Sequence, residues 1–280
     1  MNKFLLLLLF LNLTCENNNV KVVADLSKTL NEVSGIETNN ASNLIWMLND
    51  GGNAPKLIAT SHEGKIKKEL KIKAKNNDWE DLTSDESGNL YIGDFGNNLN
   101  KRKNLAVLKV NASDLNNEKS IAIERISFQY ENQDKFPPKK KKMYFDCEAF
   151  FYFNNYLYLF TKSRVKGDFG KTNLYKIPAE KGNHIAKLIG TFNSCVDTDC
   201  WITAADISAD GKKIALLTSK SVWLFTDFEN DNFLEGNAIE YDLGFSSQKE
   251  SLCFKNENSL YIADEKSHGN GGNLYVFRLN

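Results

Sequence analysis

Trp79-Glu80-Asp81-Leu82-Thr83-Ser84-Asp85-Glu86-Ser87-Gly88-Asn89-Leu90-Tyr91-Ile92-Gly93-Asp94 reads as a strand, a polar turn and a second strand. The apolar, β-branched and aromatic residues come in runs too short for a helix, and Ser87-Gly88-Asn89 between them supplies turn chemistry. The unit recurs. First strands begin at Val33-Ser34-Gly35-Ile36, Trp79-Glu80-Asp81-Leu82, Cys147-Glu148-Ala149-Phe150, Ala204-Ala205-Asp206-Ile207 and Lys249-Glu250-Ser251-Leu252. Second strands follow at Leu44-Ile45-Trp46-Met47, Leu90-Tyr91-Ile92, Leu157-Tyr158-Leu159, Ile214-Ala215-Leu216 and Leu260-Tyr261-Ile262.

A third strand follows each pair, for example Leu105-Ala106-Val107-Leu108 and Val222-Trp223-Leu224-Phe225. Fourth strands follow four of the five, at residues 66–72, 121–130, 185–192 and 238–243. Four antiparallel strands per unit, at a spacing of roughly 45 to 70 residues, is the arithmetic of an all-β propeller. The expected fold is a β-propeller of five blades. A sixth could hide in the longer gap between the second and third repeats, which holds Pro137-Pro138 and Lys139-Lys140-Lys141-Lys142. That gap otherwise reads as a solvated insertion. The fifth repeat lacks a fourth strand, and residues 20–26 form a strand with no repeat of its own. The N-terminal strand is therefore expected to close the ring, which removes two open sheet edges.

The start of a first strand and the end of the antiparallel second strand meet on one face, at the mouth of the central channel. In register, the first-strand positions are Ser34, Glu80, Glu148, Ala205 and Glu250. The second strands end at Asn49 with Asp50, at Asp94, at Thr161, at Thr218 and at Asp264. Asp78 and Asp146 precede two of the glutamates by two residues. Carboxylates gathered in a narrow mouth must hold protons, pair with a cation or stay hydrated. Glu80, Glu148 and Glu250 are the candidate ligands of a hard cation such as Ca²⁺. Capping of neighbouring backbone groups and direct catalysis are the alternatives. Trp79 and Trp201 start first strands and could edge the site, and His268 follows a strand exit.

The 35 basic and 36 acidic side chains nearly cancel, so nothing draws the chain to nucleic acid. Residues 1–15 read as an export signal: Lys3, a short apolar run, and Cys15 where a lipid-modified cysteine would stand. Residues 16–19 are a polar tether and residues 20–280 a single domain. The expected location is the cell envelope, as a lipoprotein touching the membrane through that lipid, or outside the cell. In an oxidising compartment Cys195 and Cys200 can form a disulfide, and Cys147 and Cys253 read as buried thiols. There is no Gly-x-Ser-x-Gly elbow, no His-Glu-x-x-His and no phosphate-binding glycine loop.

Asp78-Trp79-Glu80-Asp81-Leu82, Leu90-Tyr91-Ile92-Gly93-Asp94-Phe95-Gly96-Asn97-Asn98, Asp146-Cys147-Glu148-Ala149-Phe150 and Thr203-Ala204-Ala205-Asp206-Ile207 resemble poorly characterised secreted bacterial propellers, often described as WD-repeat-like or SdiA-regulated-like. A more distant likeness is to gluconolactonase-type propellers. That likeness implies a channel-mouth Ca²⁺ with an acid from a first strand, matched by Glu80, Glu148 or Glu250, and an Asn pair of which only Asn49 has a counterpart. The functional expectation is a binding module that offers its mouth to a small polar ligand or an envelope protein. The alternative is a Ca²⁺-dependent hydrolase of a lactone, ester or phosphoester.

Overall fold

The computed structural model describes residues 19–117, 120–267 and 269–279. The export signal, Cys15 and His268 lie outside these residues. The described residues form twenty strands and only short 3-10 turns. Among them, no helix is long and apolar enough to cross a membrane.

The first sheet is β2 (Val33–Thr38), β3 (Ile45–Asn49), β4 (Lys56–Thr60) and β5 (Ile66–Lys71), hydrogen-bonded in that order. Next come β6 (Trp79–Ser84), β7 (Leu90–Asp94), β8 (Ala106–Val110) and β9 (Glu124–Tyr130), then β10 (Asp146–Phe153), β11 (Tyr156–Lys162), β12 (Lys171–Pro178) and β13 (Gly182–Asn193). These two antiparallel sets join into one eight-stranded sheet because their last strands, β9 and β13, pair in parallel. The fourth set is β14 (Ala204–Ile207), β15 (Ile214–Leu217), β16 (Ser221–Thr226) and β17 (Asn237–Asp242). The last sheet is β18 (Lys249–Asn256), β19 (Ser259–Asp264), β20 (Asn273–Arg278) and, as its outer strand, β1 (Val20–Asp25). β1 lies antiparallel to β20, with Val20 opposite Phe277 and Asp25 opposite Asn273. The gap that could have hidden a further repeat, residues 131–145, holds no strand, and Lys139, Lys140, Lys141 and Lys142 are exposed there.

The first strands touch in the order β2, β6, β10, β14, β18 and back to β2. Hydrophobic cores fill the spaces between consecutive sheets. Trp46 and Leu57 meet Leu90 and Leu108; Tyr91 and Val107 meet Phe150 and Leu159; Phe151 and Phe160 meet Leu216 and Phe225. Leu217 and Val222 meet Ile262 and Phe277, and Ala263 and Leu274 meet Met47 and Ile58. Successive residues of one strand therefore serve different cores: Phe150 packs on one face of its sheet and Phe151 on the other. Both faces being covered is why these strands read as continuous apolar runs instead of an alternation. Burial of each such Phe, Leu or Ile contributes roughly 1.5–3 kcal/mol.

Side chains of the first strands also bind sheet to sheet. Ser34 Oγ donates to the Trp79 carbonyl (3.1 Å) and Thr203 Oγ1 to that of Lys249 (2.6 Å). Asp81 Oδ2 accepts from the Phe150 N–H (3.1 Å), and Asp206 Oδ2 from the Phe254 N–H (2.7 Å). These buried carboxylates satisfy amides that a narrow central ring leaves without strand partners.

Candidate channel-mouth site

Four of the five first-strand positions named from sequence sit on β-bulges. The ladder skips at Ser34 in β2, at Glu80-Asp81 in β6, at Glu148 in β10 and at Glu250 in β18. β14 has a regular ladder, and its residue at this position is Ala205, which is buried. A bulge inserts one residue into a strand and re-aims its side chain. Here it lets Ser34, Glu80, Glu148 and Glu250 line one cavity of about 610 Å³ while their neighbours stay in the cores.

Asp50, from the turn after β3, lines the same cavity. Asp78 stands just before β6, and one carboxylate oxygen each from Asp50, Asp78 and Glu80 lie within 4.8 Å of one another. Glu80 is only 8% exposed, yet its carboxylate has no hydrogen bond or ion pair among the described residues. Two glycines make room for this group. A Cβ on Gly96 would overlap Glu80 Oε1 and come within 2.7 Å of Asp78 Oδ2, and a Cβ on Gly51 would overlap Asp78 Oδ1. Burial, then the neighbouring acids, pushes the Glu80 carboxyl well above the usual range and Asp50 up to about 6. Burial raises Asp78 as well.

Glu148 differs in kind from the other two glutamates. It accepts from Lys162 Nζ (2.9 Å) and Arg164 Nη2 (3.2 Å). Burial would raise its carboxyl, but these two cations outweigh burial and hold it below the usual range. Glu80, Glu148 and Glu250, the trio named as cation ligands, all line the cavity, but in different states. Glu148 is neutralised by side chains, and the clustered group is Asp50, Asp78 and Glu80. Glu250 is pushed up to about 7 and Glu265, also in the cavity, up to about 8, both first by burial.

The second-strand ends are mostly occupied with structure. Asp94 is fully buried and accepts from Arg102 (2.9 Å) and Asn77 (2.7 Å). Asp146, which instead opens the first strand β10, is also engaged and accepts from Arg164 Nε (2.5 Å) and the Asn97 N–H (2.7 Å). Asp264 accepts from the Asn273 N–H (2.8 Å) and the Tyr275 hydroxyl (2.9 Å). Asn49 donates to the Thr29 carbonyl (2.7 Å), and Thr161 Oγ1 accepts from the Asn173 N–H (3.2 Å). These groups hold the rim and do not line the cavity.

Sequence reasoning missed Lys162, Arg164, Lys249 and Glu265. Lys162 ends β11, next to the expected Thr161, and Arg164 follows two residues later. Both cations lie over the Trp201 ring, at 5.1 and 4.9 Å from its centroid. Trp201 does edge the cavity, whereas Trp79 is fully buried. A disulfide joins Cys195 to Cys200 (Cα–Cα 5.8 Å) and closes the loop whose Thr198 and Asp199 form the wall beside Trp201.

No family model matches the chain, and no curated protein matches it in sequence. Solved structures match it in shape. An aldose sugar dehydrogenase from Streptomyces coelicolor, in its PQQ-bound form, superposes with a TM-score of 0.53 over 92% of this chain and 96% of its own, at 7% identity. A gluconolactonase from Xanthomonas campestris gives 0.51 over 93% and 89%, at 10% identity. A putative gluconolactonase gives 0.50 over 91% and 76%, at 12% identity. The fold is a β-propeller. At such identities the likeness extends to the propeller alone, and any chemistry has to come from the mouth's own residues.

Proposed function

We propose that this chain is an exported five-bladed propeller that acts as a binding module, holding a divalent cation at its mouth on Asp50, Asp78 and Glu80. The blade count rests on the ring of first strands and on β1 completing the last sheet. The cation rests on one observation: the Glu80 carboxylate is nearly buried and unpartnered, with two further carboxylates within 4.8 Å. A carboxylate in that position holds a proton, keeps water or is matched by a positive charge, and two further acids beside it favour the last. All three donors are carboxylate oxygens, which suits a hard ion such as Ca²⁺ better than a thiolate- or imidazole-seeking metal. A bound ion with open positions would then accept an oxygen of a small polar ligand entering the cavity.

The test is thermal unfolding of the purified protein in EDTA and in millimolar Ca²⁺. An ion that binds only the folded state at a hundred times its dissociation constant adds about 2.7 kcal/mol. A saturable rise in midpoint that Glu80→Gln removes supports the reading. An identical midpoint in both buffers overturns it.

A second reading, a cation-dependent hydrolase of a lactone, ester or phosphoester, is favoured by Glu250. Its carboxyl lines the same cavity and is pushed up to about 7, where a general acid–base works near neutral pH. The ion would polarise the carbonyl or phosphoryl oxygen while Glu250 takes a proton from water. Under this reading Glu250→Gln abolishes turnover in a hydrolase screen and leaves the Ca²⁺ response intact.

A further inference from the structure

The cavity is also lined by a cation that no carboxylate among the described residues contacts, contributed by the last sheet and not by the strands that carry Asp50, Asp78 and Glu80. Lys249, the first residue of β18, is 1% exposed. Its ammonium donates to the carbonyls of Ser219 (2.8 Å) and Phe245 (2.9 Å) and lies over the Phe245 ring at 3.8 Å. No carboxylate among the described residues comes within ion-pair distance of it. Asp264, its cross-strand neighbour, and Asp242 attract the ammonium from beyond contact, and Asp264 accepts instead from the Asn273 N–H and the Tyr275 hydroxyl. An ammonium has three protons to donate, and two are used.

Ser247 supplies the second observation. Its hydroxyl is buried without a hydrogen-bond partner. Its backbone N–H donates to the same Ser219 carbonyl that Lys249 Nζ uses (3.2 Å), so the two residues meet at one oxygen. Both line the cavity. The remaining ammonium proton and the orphaned hydroxyl belong to residues that line the same cavity, and both lack an acceptor there.

We propose that Lys249 and Ser247 form a subsite for the carboxylate of a small, singly charged organic anion. A carboxylate accepts from two donors at once and neutralises the buried lysine. Glu250 and Glu265 line the same cavity and set the charge limit. To the extent that these acids are ionised, hydrogen phosphate as a dianion meets twice the repulsion that a monocarboxylate meets. The subsite does not depend on a cation at Glu80, so the two ideas stand or fall separately.

Acetate is the probe and phosphate the comparison, at matched ionic strength and in EDTA, read by calorimetric titration and by the unfolding midpoint. Acetate is expected to bind saturably and raise the midpoint, with phosphate weaker. Ser247→Ala, which should fold normally, is expected to weaken acetate about three- to tenfold, as the loss of one hydrogen bond does. Lys249→Met is expected to abolish binding. If that variant fails to fold, Ser247→Ala decides alone. No saturable acetate response in the wild type overturns the subsite, as does an unchanged affinity in Ser247→Ala. Phosphate binding as tightly as acetate overturns the assignment to a monocarboxylate.

Discussion

Gly96 separates the fold from the site at a single residue. The atoms a new Cβ would strike belong to the free ends of Glu80 and Asp78, which can swing aside, and not to backbone. Gly96→Ala is therefore expected to keep stability within about 1 kcal/mol of wild type while removing the Ca²⁺-dependent rise in unfolding midpoint. A different residue reports on pH. At the far end of the channel, burial pushes the Asp206 carboxyl up to about 7, with Glu37 raised beside it. An acid raised by folding binds its proton more tightly in the native state. Its contribution is therefore present below its unfolded value and is lost as pH rises through the folded one. Stability should fall between about pH 4 and pH 7, by up to about 1.4 kcal/mol per pH unit from this group. The raised mouth acids slope the same way and Glu148 the opposite way, so the check is the difference between wild type and Asp206→Asn in denaturant titrations across that range. Equal slopes would remove the assignment. The repeat made Ser34, Glu80, Glu148 and Glu250 legible, because a residue in register across blades announces itself. Lys249 and Lys162 were not legible. Each is particular to one blade, and a lysine at a strand end ordinarily reads as solvated.

Strands and loops carry a second set of consequences. The bulges in β2, β6, β10 and β18 explain how a mouth residue can leave the alternation of its strand without disturbing the cores. Nothing in composition marks a bulge, which is why the register of Glu80 and the tie from Asp81 to β10 could not both be read in advance. The parallel seam between β9 and β13 was equally hidden, since it joins strands of different repeats. The Cys195–Cys200 loop was visible, because the spacing itself permits closure. A loop this short contributes about 2 kcal/mol in the chain-entropy view. Reduction is expected to cost about that much in a urea titration. It should also free the Trp201 wall, seen as a shift in tryptophan fluorescence before global unfolding.

For the whole molecule, the ring is only as closed as β1 makes it. β20 without β1 presents a row of unpaired backbone groups and uncovers the core around Leu274 and Val276. Deleting residues 20–25 is expected to abolish a single cooperative transition in calorimetry and to promote association through the bared edge. A deletion variant that melted like wild type would show that the ring does not need this strand. The closing strand was legible because a missing fourth strand at one end and a spare strand at the other are complementary facts.

The direction in which β1 enters has a further bearing on the molecule's posture. Val20 faces Phe277, Arg278 donates to the Asn19 carbonyl (2.9 Å), and this end of the sheet lies beside the β18–β19 turn, whereas Asp25 lies at the end where Lys249 faces Asp264. Asn19 therefore emerges on the side opposite the cavity. A lipid on Cys15, tethered through residues 16–19 with a reach of at most about 14 Å, would press the far opening, with Glu37 and Asp206, toward the bilayer. The mouth cavity would look outward, open to solutes arriving from solution and turned away from anything embedded in the membrane beneath it.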